Sequence, residues 1–107
     1  MYIQYAGFNI ITSYRVYNFD VIDSPSEMRE FTVQIQAEAF RADSLSFQDG
    51  PGICFARLRR ELDGETPQLR AAAHLRIGVQ DILDYRAHHY PKKKVYGRDA
   101  QRAAALP

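Results

Sequence analysis

The chain predicts a small α+β domain, with an antiparallel sheet built on a β-hairpin, about residues 14–22 and 29–36, and two helices, about 51–63 and 79–90, packed on one face. Three patterns carry that expectation. Two neighbouring stretches alternate apolar and polar residues with period two, one Gly/Pro-containing segment opens a run of apolar residues at helical spacing, and a final helical stretch stops at Pro91.

From Tyr14 to Ile22 the run YRVYNFDVI sets Tyr17, Phe19 and Val21 on one side, and Val16, Asn18 and Asp20 on the other. Turn chemistry follows in DSPSE, residues 23–27. Phe31, Val33 and Ile35 then alternate with Thr32, Gln34 and Gln36, so the pair forms an antiparallel hairpin with one apolar face and one face toward water. Residues 37–41, AEAFR, suit a single helical turn anchored by Phe40, and Leu45 to Phe47 suit a short third strand.

The stretch SFQDGPGICFARLRREL, residues 46–62, reads as the start of a helix. Asp49 is the expected N-cap, Pro51 is preorganised for the first helical position, and Phe55, Leu58 and Leu62 recur at spacings of three and four. Arg57 and Glu61 lie one turn apart and can pair; Gly64 supplies the stop. A phosphate loop is excluded by the missing lysine, by Pro51 removing an N–H and by the negative charge of Asp49. Residues 67–90 fit either one long helix or a strand followed by a helix. Gly78 would interrupt the long helix, and Ala73, Leu75, Ile77 and Val79 alternate, so strand then helix is the reading adopted. Pro91 closes the last helix.

Three groups of residues could carry chemistry. Cys54 is expected in the first turn of its helix, where the dipole favours thiolate, yet Ile53 and Phe55 flank it and nothing in the spacing couples it to a histidine; a core cysteine is the plainer reading. Asp84 and His88 stand one turn apart, beside Asp81, Tyr85 and His89, so a carboxylate and an imidazole could share a metal ion, although the same charges are what helix-dipole matching selects. Lys92, Lys93, Lys94 and Arg98 make the end of the chain basic. Residues 1–85 carry eight arginines against twelve acids, and residues 86–107 carry six basic residues against Asp99. Such a tail can contact nucleic acid, or be simply solvated.

At 107 residues, with 46% hydrophobic and 25% charged residues, the chain is expected to fold as one domain over residues 1–90, followed by a flexible basic tail over 91–107. No apolar run approaches the ~18 residues of a membrane span. The first thirteen residues lack Lys, Arg and a continuous apolar stretch, and there is a single cysteine; both point to the cytoplasm. No constellation specifies a catalyst or calls for a cofactor, so the expected function is a non-catalytic interaction or assembly module. Tyr2, Tyr5 and Phe8 exceed what so small a core can cover, and hairpin edges invite pairing, so a homodimer is the expected partner state. The alternatives are a nucleic-acid-associated regulator using the basic tail, and a small enzyme using Cys54 or Asp84 with His88.

Overall fold

The computed structural model describes residues 1–41 and 45–90. Among them run β1 (Tyr2–Ile11), β2 (Tyr14–Ser24), β3 (Glu27–Gln36), α1 (Glu38–Arg41), α2 (Asp49–Asp63), β4 (His74–Arg76) and α3 (Val79–His89). The strands form one sheet in the order β1-β2-β3-β4.

The expected hairpin is its centre. β2 and β3 pair antiparallel from Tyr14 opposite Gln36 to Ser24 opposite Glu27, with Tyr17 against Val33 and Phe19 against Phe31. All the alternating apolar residues of both strands fall on one face and are buried, and α2 covers them with Ile53, Cys54, Leu58 and Leu62. Leu75 and Ile77 close the core on the β4 side, while Ile82 and Tyr85 of α3 are partly buried against it. The strand-then-helix reading of residues 67–90 holds, with β4 preceding α3. Gly64 ends α2, its N–H donating to the Glu61 carbonyl and the next N–H, of Glu65, to that of Leu62.

Four features depart from the sequence reading. The sheet is mixed, because β4 runs parallel to β3 (Thr32 opposite His74, Gln34 opposite Arg76), and the crossover that parallel pairing needs is supplied by α1 and α2. Residues 2–11 form a full strand that no periodicity announced. Leu45 to Phe47 is no strand; Leu45 is a buried core residue and Phe47 begins a turn. The cap of α2 is Gln48, with Asp49 already inside the helix, so Cys54 lies in the second turn. Asp49 still serves the helix start from there: its carboxylate accepts the Ser46 backbone N–H at 2.9 Å and the Ser46 hydroxyl at 3.1 Å.

Behind α2 the chain is fastened by Glu65. Its carboxylate accepts from Arg29 of β3 at 2.7 Å, from the Ala71 N–H at 2.7 Å and from Arg70 at 3.4 Å. The Arg29 guanidinium holds the Glu65 carboxyl down to about 2, against the smaller upward push of burial. Asp49 and Asp81 are also held below the usual range; burial pushes each up and hydrogen bonding and nearby positive charge outweigh it. Depressed folded values contribute stability that is present above the unfolded carboxyl range and lost as these groups protonate. Unfolding free energy should therefore be flat above about pH 5 and fall as pH drops through 4.5 toward 2. Urea titrations across that range check it, and Glu65→Gln should flatten the acid limb.

Candidate functional site

A concavity of about 590 Å³ lies between α2 and α3, with Ile53, Ala56 and Tyr85 as its apolar surface and Arg57, Arg60, Asp81, Asp84, His88 and His89 around them. Asp81 organises it. Its two oxygens accept from Arg57 at 3.0 Å and Arg60 at 2.8 Å, and one of them also takes the Gly78 N–H at 2.8 Å. Arg57 in turn donates to the Arg76 carbonyl at 2.6 Å and pairs with Glu61 at 3.1 Å, the pairing expected from the helical spacing.

Asp84 and His88 both line this cleft. The Asp84 carboxylate accepts from Gln80 at 2.9 Å. His88 Nδ1 lies 3.0 Å from the Asp84 carbonyl, and His89 Nδ1 lies 3.0 Å from the Tyr85 carbonyl. A carbonyl only accepts, so both contacts place the proton on Nδ1. Among the described residues no group of three or more His, Cys, Asp or Glu side chains is arranged to hold a metal ion.

Cys54 is wholly buried beneath the sheet, with Sγ 3.9 Å from the Val33 carbonyl. Burial drives its thiol far above the ordinary value, and the Asp81 charge pushes the same way, so the nucleophilic thiolate is not formed near neutrality. Lys92, Lys93, Lys94 and Arg98 lie outside the described residues, as does all of 91–107.

One contact that sequence spacing could not disclose joins the two helices at their far ends. The Tyr90 hydroxyl donates to the second oxygen of Asp49 at 2.8 Å, so the end of α3 is clasped to the start of α2 across 41 residues of chain.

β1 carries a run of exposed apolar side chains. Tyr2, Tyr5, Phe8, Ile10 and Ile11 are all exposed, Ile10 at 69%. β1 is the edge of the sheet, ten residues long, and contains no charged side chain. A bulge explains its two faces. Tyr5 pairs with Phe19 and Phe8 with Tyr17, so Ala6 and Gly7 together oppose Asn18. Gly7 takes φ of 103°, a conformation suited to glycine, and the Asn18 side-chain amide donates to its carbonyl at 3.3 Å. The extra residue inverts the alternation, so Ile3, Tyr5, Phe8 and Ile10 all share the core face of the sheet. Tyr5 and Phe8 rest on the rings of the buried Tyr17 and Phe19 with centroid separations of 5.5 to 6.4 Å, yet remain 41% and 46% exposed. Beside them the Arg15 guanidinium lies over Phe8, Phe40 and Phe47, 4.2 Å from the Phe47 centroid. Among the described residues the core thus extends as a half-exposed aromatic shelf onto the edge strand, with Arg15 lying over part of it.

No family model, curated protein or solved structure matches the chain. Among the described residues no helix is long and apolar enough to cross a membrane.

Proposed function

We propose that this chain is a non-catalytic assembly module that joins a second copy of itself through the outer edge of β1. One observation carries the reading, namely a ten-residue edge strand with no charge, no proline and a half-exposed aromatic shelf beside it. Protected edges carry lysines, prolines, bulges or a covering element, because an open row of N–H and C=O groups templates another strand; β1 carries the Ala6-Gly7 bulge alone of these among the described residues, and that bulge leaves its face pattern matched to a second copy. Two copies of β1 bring no like charges together, and antiparallel pairing of identical edges is the self-complementary contact that two-fold symmetry requires. The sealed thiol of Cys54 supports the non-catalytic side of this reading. A cytoplasmic location belongs to the same proposal, since the only cysteine is a free, buried thiol.

Light scattering of the purified chain at micromolar concentration should give a dimer. A chain ending at Tyr90 should give the same dimer, whereas a function carried by Lys92, Lys93, Lys94 and Arg98 would be lost with those residues. Ile10→Lys places a charge on the open strand at a position already 69% exposed, so the monomer should keep its circular dichroism and stability. Its self-association should weaken by about tenfold or more, as inward or edge charges do in natural sheets. A strictly monomeric parent chain would overturn the proposal.

A further inference from the structure

We infer that the two β1 strands pair antiparallel in one register: Tyr2 opposite Ile11, Ile3 opposite Ile10, Gln4 opposite Asn9 and Tyr5 opposite Phe8, with the Ala6-Gly7 bulges facing each other. The inference rests on the assembly reading above and deepens it.

The argument begins with the two faces of β1. Ile3, Tyr5, Phe8 and Ile10 oppose Val21, Phe19, Tyr17 and Arg15, and so lie on the core side; Tyr2, Gln4, Asn9 and Ile11 oppose Ile22, Asp20, Val16 and Tyr14 on the other side. Directly opposed residues of an antiparallel pair must project from the same face of the sheet. In a strand of regular alternation, residues 3 and 10 would point opposite ways, and so would 5 and 8. The bulge removes that conflict. It makes the face pattern of β1 read the same from either end, which is what a strand pairing with its own copy needs.

The side chains match as well as the faces. In this register aromatic meets aromatic at Tyr5 and Phe8, aliphatic meets aliphatic at Ile3 and Ile10, and amide meets amide at Gln4 and Asn9. A slip of one residue would oppose core-side to open-side side chains along the ladder. A slip of two restores the faces but sets each bulge against regular strand and leaves residues at both ends unpaired. The two-fold axis of the favoured register passes between Ala6 and Gly7, perpendicular to the sheet. Both α2 helices then stand on the same side of an eight-stranded sheet, flanking a floor made of Tyr5, Phe8 and Ile10 from both copies.

Mixed-chain cross-linking tests the register. Gln4→Cys and Asn9→Cys chains are prepared separately, then mixed and oxidised with oxidised glutathione; both positions are exposed, and the buried Cys54 thiol does not compete. The mixture should give at least about tenfold more covalent dimer than either variant alone, because a disulfide forms only where the Cβ atoms approach closely. The Ile3→Cys and Ile10→Cys pair repeats the test on the adjacent rung, which has the other hydrogen-bonding type, so thiol geometry at one rung does not decide the result. Covalent dimer from Gln4→Cys alone would put Gln4 opposite itself and overturn the register. So would no enrichment at either rung while light scattering shows a dimer at the same concentration. A monomer by light scattering overturns the assembly reading, and the register with it.

Discussion

Gly50→Ala is expected to destabilise the fold by about 2–3 kcal/mol, although alanine is the better helix former by about 1 kcal/mol at an interior position. Gly50 is the second residue of α2 and lies directly over the ring of Tyr17, which is 1% exposed in the centre of β2. An added Cβ would overlap the Tyr17 hydroxyl and sit 2.5 Å from Cζ and 2.9 Å from Cε2. Neither side can yield easily. The ring is held between strands below and helix above, and moving the start of α2 would pull Asp49 from Ser46 and Tyr90. For a domain of this size the loss corresponds to roughly 10–20 °C in Tm. Tyr17→Phe provides the control. The Tyr17 hydroxyl is buried without a well-formed hydrogen bond among the described residues, though the Arg15 side chain acts on it, so removing it should change stability by less than about 1 kcal/mol. In the double variant the oxygen clash is gone while the ring-carbon contacts remain, so about half of the Gly50→Ala loss should return. Additive losses in denaturant titrations would show that the strain lies elsewhere.

The hairpin was legible in the sequence because each strand keeps strict period two and its whole core face is apolar, from Tyr17, Phe19 and Val21 to Phe31, Val33 and Ile35. Helix α2 was legible through Pro51, the apolar spacing and Gly64, although its cap was misplaced by one residue because Asp49 acts backward onto Ser46 from inside the helix. β1 was hidden by its bulge. Tyr5 and Phe8 stand three apart and share a face only because Ala6 and Gly7 occupy one rung, and a single sequence shows no sign of where a ladder gains a residue. β4 is three residues long, and its partner β3 precedes it by some forty residues, so the parallel pairing was beyond any local pattern. The same division runs through the polar groups. The pairing of Arg57 with Glu61 follows from helical spacing alone, whereas the contacts of Asp81 with Arg57 and of Asp49 with Tyr90 exist only once α2 and α3 are set side by side. Asp84 and His88 line one cleft, with Gln80 donating to the Asp84 carboxylate and His88 Nδ1 set against the Asp84 backbone carbonyl.

The second large effect is expected at Asp81. Helix α3 contains no fully buried residue; Val79 and Leu83 point away from the body, 75% and 56% exposed, and only Ile82 and Tyr85 pack inward. Besides the Tyr90 contact with Asp49 at its far end, its attachment rests on one carboxylate, 10% exposed, that binds two guanidiniums of α2 and the backbone N–H at the helix's own start. Removing it strands Arg57, whose side chain is 20% exposed, with a diminished set of acceptors, and opens the first turn of α3. Asp81→Ala should therefore cost about 2–3 kcal/mol, between the value of an exposed pair and that of a fully buried one. Asp81→Asn keeps an acceptor for Gly78 but no charge for the arginines, and should recover less than half. The loss should also be local, because little apolar area ties α3 to the sheet. Amide exchange in α3 should accelerate by roughly 30- to 150-fold while the β2 and β3 amides keep most of their protection. Uniform acceleration across sheet and helix would instead mean that α3 and the sheet unfold as one unit. The Asp81 network would then hold the whole core together, beyond its role in docking one helix.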